Sequence, residues 1–382
     1  GEKRKKRRAR VEDESPYGES DEELEDEELP AGLRVPGRLW KHLFSHQRTC
    51  VEWLWELHQQ QAGGIVGDEM GLGKTLQVVA LWAALHHSRK GGPSVVVTPA
   101  TVMRQWQREA KRWAPDLHTE LMHNSNGGAD PGTRLAQLNR VAAAASGGAC
   151  AVLITSYEMV RQHSSLLLRC PWQYVVLDEG HKIRNPDAGV TQACKRFDTA
   201  HRLILSGSPI QNKLTELWSL FDFVFPGKLG TLPTFQEQFG VPIAAGTYAN
   251  ASRFKVQSAY QCSLVLRSLI RPHLLRRLKS DVDVALPDKS EQVLMCQLTD
   301  EQRDAYERYL DSDIVHRVLT GKAHAFVALT SLLKVCNHPH LLTWDESDHQ
   351  PGAHYGDWRL SGKMHVLKAT GPARHVLPPS VK

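Results

Sequence analysis

Tyr174-Val175-Val176-Leu177-Asp178-Glu179-Gly180-His181 is an apolar, β-branched run that ends abruptly in two adjacent carboxylates. A run this short, with no polar residue alternating through it, reads as a strand buried on both faces, as in a parallel sheet. Val95-Val96-Val97, Ala151-Val152-Leu153-Ile154 and Leu203-Ile204-Leu205 share the texture. Helical periodicity precedes and separates the runs, over Leu76 to Leu85 and Leu135 to Ala145, and this alternation predicts a right-handed α/β fold. Pro99, Ser156, Asp178 and Ser206 stand at or just after the ends of the four runs. Ligands of open parallel sheets bind beyond the strands' carboxyl ends. The four positions are therefore expected to line one edge.

Some hundred residues upstream lies Gly67-Asp68-Glu69-Met70-Gly71-Leu72-Gly73-Lys74-Thr75. Glycines of such a loop let backbone N–H groups close around phosphates, with Lys74 reaching the β- and γ-phosphates and Thr75 offering a hydroxyl to Mg²⁺. The strict pattern G-x-x-x-x-G-K-[ST] fails, because Asp68 stands where its first glycine belongs. A glycine-rich turn before a helix is the competing reading. The paired acids also suit nucleotide hydrolysis: Asp178 can hold the Mg²⁺ that bridges the phosphates, and Glu179 can orient and deprotonate the attacking water. Adjacent acids at a strand end are also common turn residues. Order and context combine the two signals, since each motif sits at an expected strand end and a third, Leu205-Ser206-Gly207-Ser208-Pro209-Ile210-Gln211-Asn212, follows another. Upstream, Gln47 in Leu43-Phe44-Ser45-His46-Gln47 offers an amide donor and acceptor suited to an adenine edge.

With these motifs in order, the sequence resembles the SWI/SNF-like DNA-translocating ATPases of helicase superfamily two, from about Leu39 to Lys363. The resemblance rests on Asp68 to Thr75, Asp178 to Pro186, Leu205 to Asn212 and Phe225-Pro226-Gly227-Lys228-Leu229-Gly230-Thr231-Leu232-Pro233. The family's loop begins with aspartate, which accounts for Asp68. The resemblance implies ATP and Mg²⁺ as ligands. Gln47 would contact adenine, Asp68 to Thr75 would hold the phosphates, Thr75 and Asp178 would hold the metal, and Lys74, Asp178 and Glu179 would serve hydrolysis. Pro99 to Trp106, Thr155-Ser156-Tyr157 and Gln211-Asn212 would face DNA or transmit to it. The implied activity is movement along double-stranded DNA in chromatin remodelling or DNA repair, with nucleosomes or RNA polymerase II as the load. The family usually has tyrosine at position 46 and glycine at position 50, where this chain has His46 and Cys50. Two other readings stay open: a strand-separating helicase, and a non-catalytic fragment that binds ATP or DNA and recruits others.

The expected architecture is a charged, disordered tail over residues 1–30, then a RecA-like parallel-sheet lobe, the first motor lobe, over 39–300. A helical protrusion over 301–342 and a linker with the start of a second lobe over 343–382 follow. Thr299 and Gln302 have capping-box spacing at the start of the protrusion, and Pro339 should stop the helix over Phe326 to Val335. Motifs of the second lobe, its arginine fingers included, do not occur in these 382 residues.

The tail opens with Lys3-Arg4-Lys5-Lys6-Arg7-Arg8 and Arg10, a block resembling a nuclear import signal, and continues as an acidic stretch too polar to repay ordering. Ser20 precedes three acids and offers a site for an acid-directed kinase. Residues 1–28 hold 7 basic and 12 acidic side chains, leaving 40 basic and 30 acidic elsewhere, a net +10. That excess favours a polyanionic partner. No apolar run approaches the roughly 18 residues that span a bilayer. A soluble, nuclear protein with no membrane partner is expected. The seven cysteines include no C-x-x-C pair, so no zinc ribbon or disulfide framework is expected, and Cys336 with His338 reads as helix-end packing.

Overall fold

The computed structural model describes residues 24–123, 130–207, 213–248, 251–282, 293–321, 324–342 and 356–373. The chain divides into two compact units, residues 1–284 and 285–382.

All four apolar runs form strands of the first unit: β4 (Pro93–Thr98), β6 (Ala151–Ser156), β7 (Tyr174–Asp178) and β8 (His201–Leu205). With β3 (Gly64–Val66), β5 (His118–Met122) and β9 (Leu274–Leu275) they make a seven-stranded sheet in the order β5-β6-β4-β7-β8-β3-β9. Every pairing is parallel. Alternate residues of each strand feed opposite cores, as the period of two requires. Val66, Val96, Val176 and Leu205 pack with Trp82 and Trp106 on one face, while Ile65, Val97, Leu177 and Ile204 pack with Phe221 and Phe223 on the other. Helices α1 (Ser45–Gln59), α2 (Lys74–His87) and α3 (Met103–Trp113) cover the first face. Helices α4 (Pro131–Ala144), α5 (Tyr157–Leu167), α6 (Gly189–Lys195) and α7 (Leu214–Val224) cover the second. Helix α8 (Arg253–Ile270) buries only Ala259 and Leu266. Because all strands run in one direction, the residues after β3, β4, β6, β7 and β8 meet along one edge.

The last residues of the expected tail are folded. Glu27–Leu29 forms β1, paired antiparallel with β2 (Leu33–Val35). Leu29, Leu33 and Val35 are buried, and Trp55 Nε1 donates to Pro30 O at 2.6 Å. Acid density hid this short apolar alternation. The basic block and Ser20 lie outside the described residues.

The second unit contains α9 (Asp300–Leu310), α10 (Asp313–Leu319), α11 (Ala325–Asn337) and α12 (Gly362–Ala373). Gln302 and Thr299 form the expected capping box, but Gln302 does more. It is fully buried, donates to Val335 O at 2.8 Å and accepts from Gly362 N at 2.9 Å. Ser361 Oγ donates to Asn337 O at 2.7 Å. The segments around Val335 and Gly362, expected in the protrusion and at the second-lobe start, are thus hydrogen-bonded to each other through Gln302 and Ser361. Buried polar hubs of this kind join distant segments and leave no periodic signature. His338 has both ring nitrogens against backbone groups, Asp357 O at 2.9 Å and His340 N at 3.2 Å.

Candidate active site

Strand β3 ends at Val66 and delivers the glycine loop, which closes at Gly73, the residue before α2. Gly71 and Gly73 have φ of +94° and +83°, the left-handed region that glycine enters without strain. A Cβ at Gly73 would stand 2.3 Å from Gln47 Nε2. The first N–H groups of α2 have no intrahelical acceptor and carry the positive end of the helix dipole. Gly73, Lys74 and Thr75 line one wall of a cleft of about 620 Å³, with Asp178 and Glu179 across it.

Lys74 Nζ donates to Asp68 O at 2.8 Å and to Glu69 O at 3.3 Å. Burial draws this ammonium below the ordinary lysine range, against the opposing pull of Asp68, Glu179, Asp178 and Glu69. Gln47 accepts from Phe44 N at 3.1 Å through Oε1 and donates to Leu72 O at 3.3 Å. The Leu72 carbonyl also receives His46 Nε2 and Gln77 Nε2, each at 3.2 Å. His46 thus ties α1 to the loop. Cys50 is fully buried on the same helix, and burial pushes its thiol up to about 12.

Asp178 closes β7. Its Oδ2 accepts Trp106 Nε1 at 2.7 Å and Thr98 Oγ1 at 2.9 Å, its Oδ1 accepts the Glu179 amide at 3.0 Å, and its carbonyl accepts Tyr157 Oη at 2.7 Å. The carboxylate is held in one orientation. Glu179 adopts φ of +52°, a turn that costs a non-glycine residue about 1–2 kcal/mol, and its Oε2 lies 3.3 Å from His181 Nδ1. A half-buried ammonium, helix-start N–H groups, a threonine hydroxyl and a fixed carboxylate around one cleft are the donor set that a nucleoside triphosphate with a divalent cation requires.

Thr155, Ser156 and Tyr157, expected to face or transmit to DNA, are turned inward. Thr155 Oγ1 donates to Met122 O at 3.1 Å, Ser156 caps α5, and Tyr157 reaches Asp178. Their side chains are buried and present no surface for contact. Trp106 is buried likewise. Of the third motif, Ser206 is buried behind β8 and Gly207 lies against Met70, while Ser208 to Asn212 lie outside the described residues.

One partner of the loop had no place in the sequence reading. Asp68 is fully buried, and its carboxylate receives Arg277 Nε at 3.0 Å, Arg277 Nη2 at 2.5 Å and Gln77 Nε2 at 3.2 Å. The sequence signal is only Arg276-Arg277 after an apolar pair. Nothing local says which arginine turns inward, or that its partner lies 209 residues away.

A seven-stranded parallel sheet with these motifs on one edge defines a nucleotide-hydrolase type of lobe, and the SNF2-related domain family matches residues 46–341. The chain belongs to that family. It is 50% identical over 371 residues to the DNA excision repair protein ERCC-6 of Mus musculus, covering 92% of this chain and 25% of that protein. It is 45% identical over 387 residues to the DNA repair and recombination protein RAD26 of Saccharomyces cerevisiae, covering 90% of this chain and 35% of that protein. The chain thus spans a quarter to about a third of these relatives. Among solved structures, the Sulfolobus solfataricus SWI2/SNF2 ATPase core in complex with dsDNA aligns with a TM-score of 0.54 at 26% identity, over 88% of this chain and 65% of that one.

Proposed function

We propose that this chain is the ATP-binding first lobe of a nuclear motor that hydrolyses ATP to move along duplex DNA, in repair or chromatin remodelling. The observation that carries the reading is the meeting of Lys74 and Thr75 with Asp178 and Glu179 across one cleft, from motifs about a hundred residues apart. Lys74 and the helix-start amides would hold the phosphates, with Gln47 at the adenine edge. Thr75 and Asp178 would hold Mg²⁺, which supplies charge neutralisation on the phosphates when bound. Glu179 is at the strand end where a carboxylate can orient water and take its proton. Trp106 and Thr98 keep the Asp178 carboxylate from rotating.

Duplex DNA as the track is supported by the charge excess outside the tail and by the DNA-bound Sulfolobus relative. Nucleosomes or RNA polymerase II as the load are what the family resemblance implies, and the repair relatives support a place in DNA repair. Titration with a fluorescent ATP analogue and Mg²⁺ tests the reading. Binding should occur and Lys74→Ala should remove most of it; equal affinity in the variant would sink the phosphate-loop assignment.

A further inference from the structure

Two hundred residues after the glycine loop, the chain returns to lie alongside it. Strand β9 pairs with β3, and the residues after it continue the ladder beyond the end of the sheet. Gly67 N donates to Leu275 O at 2.6 Å, Glu69 N donates to Arg277 O at 2.9 Å, and Lys279 N donates to Glu69 Oε2 at 2.8 Å. Between these rungs Arg277 turns inward. Its backbone N–H reaches Asp68 Oδ1 at 3.1 Å, its guanidinium forks onto both oxygens of Asp68, and Nη1 donates to His46 O. Lys279 lies over Gly71, with Nζ 3.5 Å from where a Cβ would stand.

We infer that residues 274–281 form a strap that sets the shape of the glycine loop, and that Arg277 is the positioning residue of the phosphate site. The inference rests on the nucleotide reading above for its consequence, not for its geometry. Asp68 occupies the position at which the common phosphate loop has glycine, and its charge is fully buried. A buried carboxylate demands a partner, and near bound phosphates it would repel them unless neutralised. Arg277 meets both demands. Its planar fork fixes the carboxylate in two dimensions, which an ammonium cannot do. The His46 carbonyl on the same guanidinium joins the adenine-side helix to the same anchor. Arg277 therefore acts on nucleotide through Asp68 and the loop backbone, without touching it.

The test uses the whole chain with Arg277→Gln, Arg277→Lys and the pair Asp68→Asn/Arg277→Gln. In nucleotide-free protein, hydrogen exchange at the amides of residues 69–75 should rise at least tenfold in Arg277→Gln, with β4 and β7 unchanged. Unchanged loop exchange, or an equal rise across the sheet, would overturn the strap. Affinity for the fluorescent ATP analogue should fall at least tenfold in Arg277→Gln, recover only in part in Arg277→Lys, and recover most of the way in the pair, where no buried charge is left. Wild-type affinity in Arg277→Gln would refute the positioning role while Lys74→Ala still upheld the phosphate loop. If Lys74→Ala also bound normally, the nucleotide reading would fall, and the exchange measurement alone would decide the strap.

Discussion

Gly73→Ala perturbs the site at its narrowest point. The residue sits at φ +83°, ψ 32°, where a side chain costs about 1–2 kcal/mol. The new methyl would stand 2.3 Å from Gln47 Nε2, so the amide must leave Leu72 O. That forfeits a hydrogen bond worth about 1 kcal/mol net. Leu72 O keeps His46 and Gln77, so no acceptor is orphaned. The loop conformation should therefore be disfavoured by about 2–3 kcal/mol, or on the order of 10²-fold in nucleotide affinity at 1.4 kcal/mol per decade. The loop can relieve the strain by leaving its native shape, so the loss should appear in affinity more than in melting temperature. Fluorescent-analogue titration alongside circular-dichroism melting measures both. Gly189→Ala is the control, because a Cβ there meets nothing within 4 Å. Binding by Gly73→Ala within about threefold of wild type would refute the left-handed, Gln47-braced loop.

Trp106→Phe removes a donor to the Asp178 carboxylate, an interaction worth about 1.5–3 kcal/mol, and should shift the Mg²⁺ dependence of nucleotide binding about tenfold upward; lower stability with unchanged Mg²⁺ dependence would show that Trp106 only packs. His201 stacks on His58 at 4.2 Å, and burial, with His58 beside it, brings its pKa down to about 4. Its folded value lies below the unfolded one, so this stability is intact above about pH 6.5 and is lost as pH falls toward 4, by about 3 kcal/mol. Urea midpoints at pH 7 and 4.5 should converge in His201→Phe; equal acid loss in both proteins would contradict the assignment. DNA affinity should be independent of base sequence and fall steeply with salt, and a clear sequence preference at fixed salt would count against it. These 382 residues should release phosphate barely, with or without duplex DNA, because a motor's opposing lobe supplies the arginines, worth on the order of 10³–10⁵ in rate. Robust DNA-stimulated turnover abolished by Glu179→Gln would refute that.

The strands were legible because both faces are buried: Val175, Val176 and Leu177 have no alternative but apolar side chains. The meeting of Lys74 with Asp178 and Glu179 was legible because parallel topology sends every strand end to one edge. Side-chain direction was not. Thr155 and Ser156 were expected to face DNA or transmit to it, yet one is bonded into the sheet and the other caps a helix. Arg277 was invisible because an arginine in a basic run is ordinarily solvated, and only its buried acid partner gives it a role. The junction that Gln302 makes between Val335 and Gly362 was not legible either, being a tertiary choice with no periodicity.

The pairing of β9 with β3 also sets a schedule for the growing chain. The glycine loop leaves the ribosome 209 residues before its anchor does. At about 5–20 residues per second that is a delay of about 10–40 s. During it, a nascent chain ending after β8 can already pair six of the seven strands, yet Asp68 lacks its counter-ion. Such a non-local closure is slow to form and exposed while it waits. Capacity to hold nucleotide should therefore appear only after the sheet is otherwise built, and ribosome-bound chains stalled before and after residue 281 should differ in it.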